Sequence, residues 1–236
     1  MEAPFLRILR PPFGLNIATG EDWWLVGGIS ALYCVAAYQP KGAASYATSL
    51  VNLANPGTYD AYKGDLYEPT WDAINGWDFS DYIERNGLAT DIYPTSGNKY
   101  TYIIKFTNGR VDNYGIAIGS RTGSNSIRIF QSMNVDDHAF YINATGYSTG
   151  ARVVNGVLAN ASGKGYLDGS YETGSEAALS ANLCMIAIGA QNYQASGTAG
   201  FTCYNSCMAK VQACAIYNTE LSAAHISALT TAMNHI

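Results

Sequence analysis

The sequence is poor in charge and in histidine, and it lacks both a basic cluster and a long apolar run. Only 13% of its 236 residues are charged, three are histidines, and the net charge of −5 is spread along the chain. No cluster of Lys or Arg is present that would neutralise phosphates, so we expect no nucleic-acid partner. The apolar stretch "WWLVGGISALYCVAA" is too short to cross a bilayer, so we expect no membrane span.

Patterned cysteine is also lacking. The five cysteines show neither a CxxC nor a His–Cys spacing, which excludes a zinc site and a recognisable disulfide framework. We predict buried, small apolar side chains, with Cys203 and Cys207 the best candidates for reversible pairing. The five positions are Cys34, Cys184, Cys203, Cys207 and Cys214.

What the sequence does contain favours β-structure. The 24 glycines and 18 tyrosines suit short strands joined by tight turns. In "YTYIIKF", Tyr102, Ile104 and Phe106 alternate with Thr101, Ile103 and Lys105, which predicts a half-buried strand. Further strands are predicted at 115–120, 126–130, 138–143, 151–154 and 183–189. The close spacing of these strands, without intervening helices, predicts an all-β, antiparallel sandwich.

One short C-terminal helix is predicted after the last strand. Ser222 can cap its first turn, and Leu221 with Ile226 has the spacing of a hydrophobic staple. Apolar residues then recur at Ile226, Leu229, Met233 and Ile236, which forms one stripe. We expect this stripe to face the sandwich.

The chain is predicted to begin with an irregular arm over residues 1–30, followed by one domain over 31–236. The arm is apolar and stiffened by proline, and we expect it to dock on neighbouring subunits. Residues 53–98 are turn-rich and predict loops with short edge strands, anchored by Trp71 and Trp77. The predicted docking side chains of the arm are Phe5, Leu6, Ile8, Leu9, Phe13, Trp23 and Trp24.

The final third of the chain resembles a known family. "GYLDGS" (165–170), "MIAIGAQN" (185–192) and "MAKVQACAIYNTELSAAHISALTTAM" look like the end of the laminin-G-like, or concanavalin-A-like, jelly roll of lectins and glucanases. In that family a hairpin with a "DG" turn precedes a strand ending in "IG", and the last strand leads into a short helix. At the third position of this helix the family commonly has an acidic residue, whereas this chain has His225. The resemblance implies a jelly-roll β-sandwich.

A second, narrower resemblance implies a viral origin. "CVAAYQPKGAASYATSLVNLANPGTYDAYKG" and "PTWDAINGWDF" are similar to the opening of laminin-G-like proteins encoded by bacteriophages and environmental viruses. Those domains are virion components on capsids or tails. The resemblance implies a virion-surface protein, assembled in the host cytoplasm, whose partners are other virion proteins or copies of itself.

The sequence carries no recognisable catalytic motif. The glucanase signature E-x-D-x-x-E is absent, and so is G-x-S-x-G. The nearest acidic groups, such as Glu172 with Glu176, lie in turn-like contexts typical of a solvated surface. We therefore predict that the chain is not an enzyme, with a glycoside hydrolase or polysaccharide lyase kept as the least favoured alternative.

No cofactor is expected, although calcium stays open as an alternative. Asn134, Asp136 and Asp137 offer hard oxygen ligands on a predicted loop. "NAT" at 143 and "NAS" at 160 match the acceptor pattern for N-glycosylation.

Loop aromatics suggest glycan binding. Sugar C–H faces stack on aromatic rings, and sugar hydroxyls need short polar side chains nearby. The favoured function is a non-catalytic virion structural protein that displays a lectin-like jelly roll; the alternative is a free-standing, extracellular adhesion module for cell-surface or environmental polysaccharide. The candidate glycan-binding residues are Tyr59, Tyr62, Tyr67, Trp71, Trp77, Gln191, Asn192 and Tyr193.

Overall fold

A computed structural model shows an all-β sandwich closed by one C-terminal helix. It describes residues 22–64, 67–80, 86–108, 115–133, 137–148, 154–194, 203–204 and 209–236. In this part of the chain no helix combines the length and apolar character needed to cross a bilayer. The predicted fold class is confirmed.

Two sheets contain the strands. A 3-10 segment at Trp23–Gly28 precedes them, α1 is Tyr46–Ser49 and α2 is Ala223–Asn234. The strands are β1 (Cys34–Tyr38), β2 (Tyr62–Lys63), β3 (Thr70–Asp72), β4 (Gly76–Asp78), β5 (Leu88–Ala89), β6 (Thr101–Thr107), β7 (Gly115–Thr122), β8 (Asn125–Met133), β9 (Asp137–Ile142), β10 (Thr145–Ser148), β11 (Gly156–Ala161), β12 (Lys164–Leu167), β13 (Ser170–Gly174), β14 (Ala187–Ile188), β15 (Gln191–Tyr193), β16 (Cys203–Tyr204) and β17 (Lys210–Tyr217).

The first sheet has the order β13-β12-β11-β6-β17-β4-β3, with β1 also paired to β17. The second has the order β10-β9-β8-β7-β14-β5-β2, with β15 paired to β7 and β16. All pairs are antiparallel except β15 with β7. Of the strand predicted at 151–154, residues 151–153 lie outside the described part, and Val154 is a bend that precedes β11.

Strand β6 of the first sheet is buried on both faces over residues 101–104, so the prediction of a half-buried strand in "YTYIIKF" is wrong. Tyr102, Ile104 and Phe106 point into the core between the sheets. Ile103, on the opposite face, lies in a second apolar cluster beneath α2. Helix α2 and the 3-10 segment at Trp23–Gly28 cover this outer face of β6.

Helix α2 begins and packs as the sequence predicts. The Ser222 hydroxyl accepts a hydrogen bond from the His225 amide at 3.3 Å, and Ile226, Leu229 and Met233 are buried. At the other end, Lys105 Nζ of β6 donates to the Met233 carbonyl at 2.7 Å. A cation at the C-terminal end of a helix provides a hydrogen bond to one of its last carbonyls and interacts favourably with the helix dipole.

Trp23 and Trp24 belong to the core of the domain. Trp23 is fully buried and Trp24 is 8% exposed, in the same cluster as Ile226 and Leu229 of α2. Their rings lie edge to face at 5.7 Å. These two rings are therefore not available for the docking predicted for the arm, because the chain's own helix covers them. The other predicted docking residues lie outside the described part: Phe5, Leu6, Ile8, Leu9 and Phe13.

The described residues within 53–98 include the short strands β2 to β5, as predicted, of which β2 and β3 are border strands. Strand β3 is the last strand of the first sheet and β2 the last of the second. Trp77 is fully buried and donates from Nε1 to Ser49 Oγ at 2.8 Å. Ser49 ends α1, a four-residue helix that the sequence analysis did not predict.

Three of the cysteines are buried free thiols, as predicted: Cys34, Cys184 and Cys214. Burial is the main reason that the pKa of the Cys34 thiol is raised to about 12. A protonated, enclosed thiol is a poor nucleophile. The backbone of Cys203 lies in β16, and Cys207 is outside the described residues.

A polar side chain joins the two sheets. Asn160 of β11 is fully buried, and its Nδ2 donates to the carbonyls of Arg128 at 3.1 Å and Tyr141 at 2.9 Å. Those two carbonyls belong to paired residues of β8 and β9. The Asn160 Oδ1 accepts from the Gly163 amide at 2.8 Å. Asn160 thus fixes the position of the second sheet relative to the first.

Four side chains form an ion network beside the loop that leads into α2. Lys164 Nζ contacts Glu220 at 2.6 Å and Glu176 at 3.0 Å, and Lys99 Nζ contacts the same two carboxylates, Glu220 at 2.9 Å. Burial would raise the pKa of Glu220, but the hydrogen bonds from Lys164 and Lys99 outweigh it, so this pKa is lowered.

Glu220→Gln is expected to lower the free energy of unfolding by about 1 kcal/mol at neutral pH, the scale of a partly exposed ion network. Because the pKa of Glu220 is lower in the folded state, this stabilisation is complete above the unfolded value. It is lost as pH falls through the folded value. Urea unfolding at neutral and acidic pH should show the difference from the parent protein vanishing in acid. Glu172→Gln, on an exposed β13 position, is the control; a difference that persists in acid would contradict the assignment.

Candidate functional site

The best candidate site is a group of exposed tyrosines around one carboxylate, at the border of the second sheet. We call Tyr59, Tyr62, Asp91 and Tyr93 the tyrosine rim. Tyr62 lies on β2 and pairs with Ala89 of β5, and Asp91 lies two residues after the end of that strand. The backbone pairings therefore bring Tyr62 and Asp91, which are 29 positions apart in sequence, to one border.

Backbone geometry supports this placement. Tyr59 and Asp91 both have positive φ values, 61° and 54°, which are unusual for residues with side chains. The segment after Asp91 is held by backbone hydrogen bonds from Ile186 to Ile92 and from Leu183 to Pro94. The chain thus turns sharply at Asp91 before it pairs with residues 183–186.

Two side chains of the rim, Tyr62 and Asp91, are joined by a hydrogen bond. Tyr62 Oη donates to Asp91 Oδ1 at 2.7 Å and lies 3.4 Å from Met185 Sδ. The buried Tyr38 hydroxyl donates to the Tyr59 carbonyl, which fixes the backbone of that residue. The rings of Tyr59, Tyr62 and Tyr93 are 40%, 40% and 41% exposed, so each presents a ring to solvent while part of it is packed.

The charge of Asp91 acts on several phenols. Partial burial, and then Asp91, raises the pKa of Tyr62, and the same two causes raise that of Tyr93. Tyr38, deeper in the core, also has a raised pKa, to which Asp60 and Asp91 contribute after burial. The raised pKa values of Tyr62 and Tyr93 favour the protonated phenols, which can donate hydrogen bonds. Such an arrangement offers aromatic faces, hydroxyl donors and a carboxylate acceptor to one ligand.

Tyr193, another predicted glycan-binding residue, lies on a neighbouring element. It is 43% exposed, and the Arg121 guanidinium stacks over its ring at 5.0 Å. The Cys184 thiol contacts the carbonyls of Arg121 and Asn192. The segment 183–186 thus connects the tyrosine rim with Tyr193.

The remaining predicted aromatics are placed differently. Tyr67 is 47% exposed and its backbone bridges to Asn86. Trp71 is half-buried, because its Nε1 donates to the Pro40 carbonyl at 2.8 Å and its ring packs against the core. Trp77 is fully buried between the sheets, so its prediction as a glycan-binding residue is wrong.

Gln191 and Asn192 are also wrongly predicted, because both are buried. Gln191 Oε1 accepts from Arg128 at 2.6 Å, and the Arg128 guanidinium lies 4.2 Å from the Tyr141 ring centroid. Burial lowers the pKa of Arg128 to about 10. The polar residues after "AIGA" thus build the outer face of the second sheet rather than a ligand-binding loop.

The predicted calcium ligands cannot be placed. Asn134 and Asp136 lie outside the described residues, as does the side chain of Asp137. Elsewhere in the described chain, no group of three or more His, Cys, Asp or Glu side chains is arranged to hold a metal ion.

Both glycosylation motifs fall on structural asparagines. Asn160 is buried between the sheets, as described above. Asn143 has a φ of 54°, and its carboxamide bonds to the Ala178 carbonyl and the Ser180 amide. Attachment of a sugar at either nitrogen would break these hydrogen bonds.

Sequence reasoning missed two members of the rim, Asp91 and Tyr93. The available signal was "TDIYP", in which an acidic and an aromatic residue stand two apart before a proline. This signal is weak, because the approach of Asp91 to Tyr62 depends on the pairing of β2 with β5.

No protein-family model matches the sequence, and no curated protein is significantly similar to it. Similar solved structures do exist. A mutant of Trypanosoma rangeli sialidase displaying trans-sialidase activity matches with a TM-score of 0.57 and 14% identity, over 87% of this chain and 34% of that chain. The present chain therefore spans about a third of the sialidase.

Two further structures match with similar scores. Domain 4 of AbnA, a GH43 extracellular arabinanase from Geobacillus stearothermophilus, in complex with arabinotriose, has a TM-score of 0.53 and 13% identity, over 84% of this chain and 98% of that one. The binding domain of Botulinum neurotoxin serotype D has a TM-score of 0.55 and 14% identity, over 86% and 52%.

These matches correct the prediction that the chain is not an enzyme. Structures of the same fold come from a sialidase and from part of an arabinanase. The absence of E-x-D-x-x-E was too narrow a criterion, because catalytic side chains can be placed on one fold in more than one pattern. At 13–14% identity the matches show the fold alone. The chain is a jelly-roll β-sandwich, and its resemblance to the laminin-G-like family rests on the sequence motifs.

Proposed function

We propose that this chain is a glycan-binding jelly-roll module and that the tyrosine rim is its saccharide site. The observation that carries the proposal is the hydrogen bond of the exposed Tyr62 to Asp91, with Tyr93 two residues along the chain from that carboxylate and Tyr59 three residues before Tyr62, each tyrosine about two-fifths exposed. Domain 4 of the arabinanase, 98% of which matches this chain, was solved in complex with arabinotriose. This match adds support from a protein of the same fold.

Each member of the rim has a role in the proposal. The rings of Tyr59 and Tyr93 provide flat apolar faces for the C–H side of a sugar ring. Asp91, with one oxygen bonded to Tyr62, accepts from sugar hydroxyls through its remaining lone pairs. Since the Tyr62 hydroxyl is held by Asp91, the rim is ordered before a ligand arrives, which reduces the entropy cost of binding.

Tyr93→Ala is expected to weaken glycan binding about tenfold, because loss of a stacking ring removes about 1.4 kcal/mol of contact. The measurement is binding of the full-length protein to a broad glycan array at high display density, followed by titration of the best ligand. Tyr171→Ala is the matched control, since Tyr171 is 55% exposed on β13 of the other sheet. Equal losses for both variants, or no glycan bound by a folded protein, would contradict the proposal.

The proposed setting is the surface of a virion. It rests on the similarity of "CVAAYQPKG" and "PTWDAINGWDF" to phage-encoded laminin-G-like proteins. In this setting the partners are other virion proteins or further copies of the chain, and the glycan is a host or environmental polysaccharide. Immunogold labelling of particles with an antibody to this chain is expected to mark the capsid or the tail; unlabelled intact particles would exclude display.

A further inference from the structure

We infer that the tyrosine rim prefers saccharides that carry a free, protonated amino group over neutral or acidic ones. This inference rests on the proposed function and names the ligand class for the same site. It follows from the charge of the rim and from the chemistry of the groups around Asp91.

Asp91 is an exposed carboxylate whose charge is not neutralised within the described structure. Its Oδ1 accepts from the neutral Tyr62 phenol, and no Lys, Arg or His among the described residues forms an ion pair with it. The contrast with Glu220 and Asp78 is clear, because each of those carboxylates has a lysine within 3.2 Å. A ligand cation would supply the counter-charge that the described residues do not.

A second carboxylate adds to the negative field. Asp60 lies beside Tyr59, and its Oδ1 accepts from the Asn52 amide at 2.8 Å and the Gly57 amide at 3.2 Å. The charges of Asp60 and Asp91 both act on the Tyr38 phenol, whose hydroxyl bonds to the Tyr59 carbonyl. The negative charge of Asp91, with that of Asp60 next to Tyr59 in the chain, disfavours uronic acids, sialic acids and sulfated sugars.

The aromatic rings favour the same ligand. An ammonium group is attracted to the face of a tyrosine ring as well as to a carboxylate. Tyr62 and Tyr93 both lie within the field of Asp91 and remain about two-fifths exposed. An amino sugar can place its charged nitrogen at Asp91 while its ring stacks on a neighbouring tyrosine.

The test compares two oligosaccharides that differ only at nitrogen: a glucosamine tetramer and the corresponding N-acetylglucosamine tetramer. Binding of the full chain is measured by calorimetry at mildly acidic pH, where the free amino groups are protonated. We expect the glucosamine tetramer to bind about tenfold more tightly, the scale of a charge-assisted hydrogen bond. This preference should decrease as salt is raised.

Asp91→Asn should abolish the preference while the fold survives, because Asn tolerates the positive φ found at this position. Asp72→Asn is the matched control, an exposed aspartate at the β3–β4 turn of the other sheet. Its preference should equal that of the parent protein.

Three results would overturn the inference. Equal binding of the two tetramers would show that the site does not distinguish a charged amino group from a neutral acetamido group. The proposed glycan-binding function would not be affected. If Asp91→Asn weakens the binding of both tetramers equally, Asp91 accepts hydrogen bonds from sugar hydroxyls only. Binding of neither tetramer, together with a negative glycan array from folded protein, would reject the proposed function as well.

Discussion

Replacing Asn160 with alanine is expected to lower the free energy of unfolding by about 3 kcal/mol. The side chain is fully buried and makes three hydrogen bonds, two to carbonyls of the second sheet and one from the Gly163 amide. Its removal takes one hydrogen bond from each of those backbone groups inside the sandwich, at about 1 kcal/mol for each. Urea unfolding followed by far-UV circular dichroism measures the change.

The control for this prediction is Asn234→Ala, at an exposed position of α2. We expect that variant to unfold within about 0.5 kcal/mol of the parent protein, as exposed substitutions usually do. If Asn160→Ala proves equally mild, the two sheets are held together by apolar contacts alone. Because Asn160 also bonds to the carbonyls of Arg128 and Tyr141, the same variant should disturb their stacked pair on the outer face.

The parts of the fold that the sequence predicts correctly are those with local signals. Helix α2 carries its own cap at Ser222 and its own stripe at Ile226, Leu229 and Met233. The strands at β6 to β9 carry alternation or continuous apolar runs. In each case the interactions that specify the element lie within a few residues of one another, so a single sequence contains them.

Non-local contacts explain the errors. Ile103 and Lys105 were assigned to a half-solvated face, but that face is covered by α2, which begins more than 100 residues later in the chain. Likewise, "GVLANA" at 156–161 was not predicted as a strand, because Asn160 interrupts its apolar pattern. That asparagine is tolerated because the second sheet provides partners for its carboxamide.

The same reasoning applies to the candidate site. Composition correctly indicated loop tyrosines, and Tyr59, Tyr62 and Tyr193 are indeed exposed. It could not separate Tyr62 from Trp77, since exposure of a loop aromatic depends on whether another element covers it. Trp77 is covered by α1 and the core, whereas Tyr62 lies on the last strand of its sheet.

Trp23→Ala is expected to destabilise the isolated domain by about 4 kcal/mol, the cost of removing a fully buried tryptophan. The ring packs against Trp24 and lies in the cluster beneath α2. The Tyr217 hydroxyl, which donates to the Trp24 carbonyl at 2.9 Å, holds this segment against β17. Thermal unfolding of monomeric protein, monitored together with its sedimentation, is the measurement.

Leu32→Ala is the control, because this nearby apolar side chain is 86% exposed and its removal should change stability little. The two variants separate two roles for residues 23–24. If these tryptophans dock on a neighbouring subunit, Trp23→Ala will leave the monomer as stable as before and impair only assembly. If they belong to the domain, the monomer itself will unfold at lower temperature, and the start of the folded unit moves from residue 31 to the 3-10 segment at Trp23. Burial of both rings under α2 favours the second outcome, since a ring enclosed by its own chain has no surface left for a partner.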